Sequence, residues 1–430
     1  MTALFYRRDE APRSRRDWLL YSGQWLVTMF YAVVWGYAIV GAGLGLHGEN
    51  LAQYLSAIVL TIGVSTLLQA WLGHRMAMVS GPNVIPSLAI VAAYGAGGLE
   101  YALQAFTAQI IAGLTILVLV LCGLIRYIRK LWSPLVLGSM IMMIGMSVAG
   151  LGIASMTRHG MGMGFFISLA LALGGGVLAI RGRGVLRTLP PLLIIGFGYA
   201  IFFAMGQVNA DIGGQTAWFI TPRILPYGIS APPWSLIFLM LIVNLMATLN
   251  FYGNLQGYAE VIGERVSAHD ERRAFILFTL AETILPGLLG VPATVAYGEN
   301  LGIVQLTRVA TRSFVIVAAI IFAGLAFVGP FVELMAAMPD EISGAVLLGI
   351  ASTVLGIGAH TMAAAPSFEQ REQNLVGFSM FLSLGLYLLP DQAWSQVPVM
   401  VKAIFSNPVI SVILFVMLFE RVIFPSRKST

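Results

Sequence analysis

A carboxylate and an amide stand side by side in a short polar stretch that lies among apolar runs of membrane length. In residues 294–308, Gly298 is followed by Glu299 and Asn300, where the pattern predicts the start of a short helix. A carboxylate at membrane depth is costly, so it usually faces the protein interior or a water-filled cavity. The free N–H groups at a helix start add hydrogen-bond donors. We interpret Glu299 and Asn300 as part of a site for a small polar ligand, with a purely structural helix cap as the alternative for Glu299.

A second polar group lies near the end of the predicted span 233–262. Four amides fall within thirteen residues there: Asn244, Asn250, Asn254 and Gln256. Asn250 and Asn254 are four residues apart and therefore share a helix face. Amides offer the paired donors and acceptors that suit the edge of a heterocycle. Hydrogen bonding between packed helices is the alternative; we favour it for Asn244 and Gln256.

The sequence offers few other residues that could act as catalytic groups or metal ligands. Glu282 is the second carboxylate inside a predicted span, and the five histidines fall at loops or span ends. These separated groups make neither a metal cluster nor a nucleophile–base pair. The single cysteine, Cys122, excludes an intramolecular disulfide and a cysteine metal site. The sequence therefore predicts no enzyme, no metal centre and no cofactor, apart from a coupling H⁺ or Na⁺.

The composition is that of a polytopic membrane protein. Of 430 residues, 58% are hydrophobic and only 10% are charged, whereas soluble domains carry about 25% charged residues. About fourteen apolar segments have membrane length or slightly less, of which the third and tenth are short and broken. Their approximate cores are 18–46, 51–72, 76–95, 99–125, 132–155, 161–180, 189–207, 233–262, 274–292, 294–310, 313–335, 342–361, 374–390 and 398–420.

The basic residues are distributed unevenly over this arrangement. If the N-terminus is cytoplasmic, all of the 24 Lys and Arg residues except Arg158, Arg223 and Lys402 fall on the cytoplasmic side. This is a strong positive-inside signal. It predicts an inner or plasma membrane protein with a basic cytoplasmic tail over 1–17 and both termini in the cytoplasm. It also accounts for the net charge of +5 without nucleic acid.

Two pairs of similar segments predict an internal repeat. Segments 5 and 12 share a proline start and similarly spaced glycines, and segments 3 and 10 carry Ser80-Gly-Pro-Asn83 and Gly298-Glu-Asn300. Both pairs are seven segments apart, and an odd offset gives the halves opposite orientations. We therefore predict an inverted repeat of 18–210 and 230–430, with a transport site at the broken helices. A simple kink at Gly81 and Pro82 is the alternative for segment 3.

The run Pro292–Arg308 resembles the tenth-span motif of bacterial uracil permeases, in the nucleobase–ascorbate transporter family. Ser133-Pro-Leu-Val-Leu-Gly, Ile144-Gly and Gly23-Gln-Trp support the resemblance, which covers nearly the whole chain. It implies an all-α membrane fold of seven plus seven inverted spans, with spans 1–4 and 8–11 as a core domain. Spans 5–7 and 12–14 would form a gate domain at a homodimer interface. Segments 3 and 10 would each be a short strand followed by a half-helix.

The resemblance also implies roles for individual residues. Glu299 matches the carboxylate that hydrogen-bonds the base. Asn250 falls where many members carry a second substrate-binding Glu, and Asn254 where they carry His or Asp linked in some to proton coupling. Val84 falls where the base packs against an aromatic side chain and meets a backbone N–H.

The expected function is import of a nucleobase, uracil or another pyrimidine, by alternating access across the bilayer. Backbone N–H groups near Val84 and Asn300 would bind the carbonyl oxygens, and Tyr252 would line the path. Glu299 and Glu282 are the candidates for proton coupling. A purine permease for xanthine, urate or hypoxanthine stays open, as does an anion transporter or channel-like protein on the same fold.

Overall fold

The computed structural model describes residues 4–124, 133–182, 189–208, 217–298, 300–363, 365 and 368–425. The first half of the chain contains α1 Arg15–Trp35, continued by a π-helical turn Gly36–Gly41, then α2 Gly48–Trp71, β1 Ser80–Pro82, α3 Val84–Leu121, α4 Pro134–Met156, α5 Met163–Arg181 and α6 Pro190–Ala204. The second half contains α7 Trp234–Ile262, α8 Ala268–Leu277, a π-helical segment Phe278–Ile284, α9 Leu285–Leu288, β2 Thr294–Ala296, α10 Asn300–Thr307, α11 Arg312–Leu325, α12 Gly329–Ala336, α13 Asp340–Ala363, α14 Gln370–Tyr387, α15 Val399–Phe405 and α16 Pro408–Leu418, which ends in a π-helical turn Phe419–Ile423.

The protein is a helical membrane protein. Within the described residues, seven helices are long and apolar enough to cross a membrane, and α6 and α11 are shorter apolar helices; the seven are α1 with its π-helical turn, α2, α3, α4, α5, α7 and α13. The 38-residue α3 covers two predicted segments, because Gly98 breaks it with φ 79° and ψ −173°, a conformation that glycine adopts at little cost. The count of fourteen spans stays a prediction.

Close backbone contact joins α4 to α13. A side-chain carbon added at Gly152 would lie 2.9 Å from the Gly344 carbonyl oxygen, and one added at Gly138 would lie 2.9 Å from that of Gly358. Small residues at such crossings let helix backbones approach and pack in membranes. The glycines that suggested the repeat therefore have a direct packing role.

The N-terminal segment binds along one end of the molecule. Tyr6 is fully buried and pairs with Val309 in an isolated parallel β-bridge. Asp9 lies 2.7 Å from Nε of Arg312, the first residue of α11, and 3.7 Å from Arg75, which follows α2. We call this end, marked by Tyr6, Asp9, Arg75 and Arg312, the basic face.

The other end, which we call the opposite face, lies where α1 finishes. Tyr37 in the π-helical turn donates a hydrogen bond of 3.3 Å to Asp340 at the start of α13. Arg158, just after α4, forms an ion pair of 3.0 Å with the same Asp340. At this face, the Asp340 carboxylate joins the end of α1 to α13 and also binds Arg158.

Candidate functional site

Two three-residue strands pair in the buried interior of the bundle. β1 and β2 pair antiparallel, with Ser80 opposite Ala296 and Pro82 opposite Thr294. Both strands are completely buried. The ladder continues beyond them, since Asn83 N donates to Ala293 O at 2.8 Å. The pair fixes the two predicted broken segments against each other.

A helix starts directly after each strand. Asn83 caps α3 by accepting from the Ile85 backbone N–H at 3.0 Å, and Val84, 6% exposed, is the first residue of that helix. Asn300 begins α10 and donates from Nδ2 to the Val79 carbonyl at 3.0 Å, next to β1. Helix starts carry a positive dipole end. At α10, the Asn300 and Leu301 N–H groups donate to the carbonyls of Tyr297 and Gly298 at 3.3 and 3.1 Å. Two such starts therefore lie beside the strand pair.

The amide face of α7 lies against β2. Asn254 Nδ2 donates to Ala296 O at 2.8 Å and to Asn250 Oδ1 at 3.4 Å. Both amides are half-buried. A side-chain carbon at Gly298 would lie 2.8 Å from Asn254 Oδ1, so glycine is needed for this approach. The structure thus brings Asn250 and Asn254 to the strand that precedes α10.

Two other predicted site residues, Glu299 and Tyr252, are not placed at the amide face by the structure. Glu299 lies outside the described residues, between Gly298 and the start of α10. Tyr252 stacks on Phe275 of α8, with ring centroids 6.2 Å apart and planes at 18°. Residues two apart on a helix point to opposite sides, so Tyr252 does not share the face of Asn250 and Asn254. The roles of Glu299 and Tyr252 stay predictions.

The second candidate carboxylate lies behind β1. Glu282 is fully buried in the π-helical segment, and its Oε2 accepts from Gln69 Nε2 at 3.2 Å. The Ser80 hydroxyl lies near the same carboxyl. Glu282 Oε1 finds no hydrogen-bond partner among the residues that the structure describes. This carboxyl group is therefore linked to the site through β1 and does not lie on its amide face.

Sequence reasoning missed the residues that hold β2 in place. Gln109 on α3 accepts from the Ala293 N–H at 3.0 Å and donates to the carbonyls of Thr283 and Val291 at 3.1 and 3.3 Å. On the other side, Thr66 Oγ1 accepts from Ser80 N at 2.9 Å. A lone glutamine in a long apolar run was the available signal, because buried polar groups in membranes need partners.

Aromatic side chains of α1 complete the surroundings of the strand pair. Tyr297 follows β2, and its Oη donates to Pro82 O at 3.0 Å. Tyr31 and Trp35 on α1 each have a ring centroid 6.1 Å from that of Tyr297. The residues around the strands therefore come from α1, α2, α3, α7 and α10.

Comparison with solved structures finds chains with a similar fold. The transmembrane domain of the cyanobacterial bicarbonate transporter BicA aligns over 94% of this chain and 99% of that chain, with a TM-score of 0.63 and 13% identity. The murine anion transporter Slc26a9, in an inward-facing state, aligns over 92% of this chain and 68% of that chain, with a TM-score of 0.54 and 12% identity. At these identities the similarity concerns the fold alone.

Sequence comparison finds permeases. The uracil permease of Bacillus caldolyticus is 26% identical over 86% of this chain and 85% of its own length. The uric acid permease PucK and the xanthine permease of Bacillus subtilis (strain 168) are 25% and 24% identical, over 85% and 90% of this chain and 86% and 89% of their own lengths. These relatives are transporters and not enzymes. The xanthine/uracil permease model, described as a permease family, matches residues 16–392, and the chain belongs to this family, the nucleobase–ascorbate transporters.

Proposed function

We propose that this protein imports a nucleobase across the cytoplasmic membrane, with uracil or a related pyrimidine as its substrate. One observation carries the proposal: the β1–β2 crossing places the starts of α3 and α10 beside the amide face of α7. This arrangement combines two positive helix starts with side-chain amides in the interior of a membrane protein.

Within this site we assign complementary roles. Glu299 accepts hydrogen bonds from ring N–H groups. Asn254 donates its Nδ2 to Ala296 O, which leaves its Oδ1 to accept from the base, and Asn250 completes this polar edge. The backbone N–H groups near Val84 and Asn300 bind carbonyl oxygens of the base. A neutral planar ring with alternating donors and acceptors at its edge fits this set.

A purine is the second candidate substrate. Relatives named for xanthine and uric acid match this chain about as well as the relative named for uracil. Identity near 25% gives no preference between the two ring sizes. The anion-transporter alternative has support only from fold neighbours at 12–13% identity, and a carboxylate at position 299 would repel an anion.

We propose Glu299 first, and Glu282 second, as the group that couples transport to protons. A fully buried carboxyl group is strongly disfavoured in its charged form. Glu282 contacts Gln69 and lies near Ser80 on β1, so a change of its charge would act on the strand that precedes α3. Sodium remains the alternative coupling ion.

Alternating access requires one face to close while the other opens. We propose that spans 1–4 and 8–11 form a core and that spans 5–7 and 12–14 form a gate, which pairs in a homodimer. At the opposite face, Tyr37 of the core contacts Asp340 of the gate, and Lys402 Nζ donates to Gly95 O at 3.0 Å. At the basic face, an open depression of about 500 Å³ lies at the end of α7, where Glu264 pairs with Arg8 at 3.2 Å. With the basic face proposed to be cytoplasmic, the closed opposite face supports an inward-facing state.

Uptake measurements test the proposal. Labelled uracil is offered to cells that lack their own nucleobase carriers, with unlabelled uracil, xanthine and urate as competitors. Saturable uptake that uracil blocks and that Glu299→Ala abolishes is the expected result. Inhibition mainly by purines would select the second candidate. No saturable uptake of any base by correctly inserted protein would reject the nucleobase assignment.

A further inference from the structure

Two aromatic residues of α1 flank the tyrosine that joins β2 to α10. Tyr31 and Trp35 are four residues apart and share a helix face. The Tyr31 ring is nearly parallel to the Tyr297 ring, at 19°, and the Trp35 ring is tilted by 43°. The Tyr297 hydroxyl is fixed on the Pro82 carbonyl. The α1 side chains therefore pack against an anchored ring of the candidate site.

The surroundings of Trp35 place α1 close to β1. A side-chain carbon added at Gly36 would lie 3.2 Å from Pro82 Cγ and 2.7 Å from Ile58 Cδ1. The π-helical turn Gly36–Gly41 begins directly after Trp35. Such π-helical insertions in α-helices frequently occur at functional sites. The helix thus changes its winding where it approaches the strand pair.

The indole of Trp35 carries an unused donor. Trp35 is 3% exposed, and its Nε1 has no hydrogen-bond acceptor among the residues that the structure describes. An indole nitrogen can only donate, and a buried donor normally has a partner. Leaving such a group unpaired costs free energy. A ligand with an acceptor at its edge would supply the missing partner.

We infer that Tyr31 and Trp35 form an aromatic wall of the site and that Trp35 Nε1 donates a hydrogen bond to a carbonyl oxygen of the bound base. Tyr31 is half-buried, and its ring offers a face for offset stacking on a planar heterocycle. The inference rests on the proposed function and adds a specificity-determining donor on α1, a helix that carries no predicted site residue. It requires a substrate with a ring carbonyl.

Competition by single-carbonyl analogues tests this assignment. Uptake of labelled uracil by the wild type and by Trp35→Phe is inhibited with uracil, pyrimidin-2-one or pyrimidin-4-one; each analogue lacks one of the two uracil oxygens. Loss of one hydrogen bond should weaken uracil about tenfold in the variant. The analogue without the accepting oxygen should inhibit both proteins equally. Xanthine and hypoxanthine serve the same comparison if the substrate is a purine.

The control is Trp25→Phe, which removes another buried indole from α1, ten residues before Trp35. It should leave the ranking of the three inhibitors unchanged. Trp35→His keeps a ring N–H donor and should restore part of the preference for uracil. If Trp35→Phe does not insert into the membrane, Trp35→His is compared with the wild type instead.

Three outcomes would overturn the inference. If inhibition by uracil and by both analogues weakens equally in Trp35→Phe, the indole contributes only packing. Unchanged uracil affinity in the variant would place Trp35 outside the site. If the wild type takes up no base at all, the proposed function fails and this inference falls with it, whereas the first two results reject the inference and keep the transport function.

Discussion

Replacing Gln109 by leucine should disturb the site from a distance. The side chain is fully buried on α3 and makes three hydrogen bonds to the segments before β2. Leucine has a similar volume, so the change removes polar contacts without a large cavity. At about 1 kcal/mol for each hydrogen bond, the loss is about 3 kcal/mol, and the buried Ala293 N–H is left unpaired. We expect lower stability together with a displaced β2.

The assay compares thermal unfolding in detergent with nucleobase uptake. Gln109→Leu should lower the melting temperature by a few degrees. It should also reduce uptake by more than any loss of correctly inserted protein explains. Thr115→Val is the matched control, since Thr115 is an exposed residue of α3 whose hydroxyl donates to the Ile111 carbonyl of its own helix. It should change neither property. Wild-type stability and uptake in Gln109→Leu would refute the positioning role.

Three further predictions concern the two faces and the loop before β1. Asp340→Ala removes the hydrogen bond from Tyr37 and the ion pair with Arg158. A loss of about 1 kcal/mol should shift the equilibrium about fivefold toward opening at the opposite face. A cysteine introduced at that face should then be labelled faster, and an unchanged rate would show that these contacts do not hold the face closed. Burial lowers the pKa of His74 from 6.5 to about 3. The folded state therefore keeps His74 neutral while the unfolded chain binds a proton, so stability should fall below about pH 6.5, by about 2 kcal/mol at pH 5; melting curves of His74→Asn should lose this component, and an identical acid dependence would contradict it. Asp9→Asn weakens the ion pair with Arg312, and limited proteolysis of the N-terminal segment should accelerate by up to about fivefold; an unchanged cleavage rate would show that backbone pairing alone holds the segment.

The amide pair shows how far spacing alone can lead. Asn250 and Asn254 share a face because of their separation of four residues, and this was predictable from helix geometry. Which neighbour that face meets was not, because the contact with Ala296 joins residues 42 positions apart. The same limit applies to Gln109, whose partners lie 174 to 184 positions away. Long-range pairing of polar groups leaves no periodic pattern in the sequence.

The orientation of Tyr252 illustrates the opposite case. Tyr252 lies between the two asparagines in the sequence and is predicted to line the transport path. Two residues of helix correspond to about 200°, so a stricter use of helix periodicity already separates it from the amide face. The structure shows its contact with Phe275 of the next helix. Its role in lining the transport path stays a prediction.

The sequence by itself determined that the protein lies in a lipid bilayer, which family it belongs to and which polar residues are available for transport. Low charge and long apolar runs require a bilayer, because every backbone polar group in such runs must be satisfied inside helices. The motif from Pro292 to Arg308 indicated the nucleobase permeases, which the family match confirms. These properties depend on local composition and spacing.

Only the tertiary structure decided which of these groups meet. The antiparallel register of β1 and β2, the position of Trp35 beside Tyr297, and the burial of Glu282 behind β1 each join segments far apart in the chain. Such contacts depend on how helices pack, and lipid-facing and protein-facing apolar surfaces have the same composition. The physical reason is that packing in a membrane is selected by shape and hydrogen bonding, which a single sequence records only indirectly.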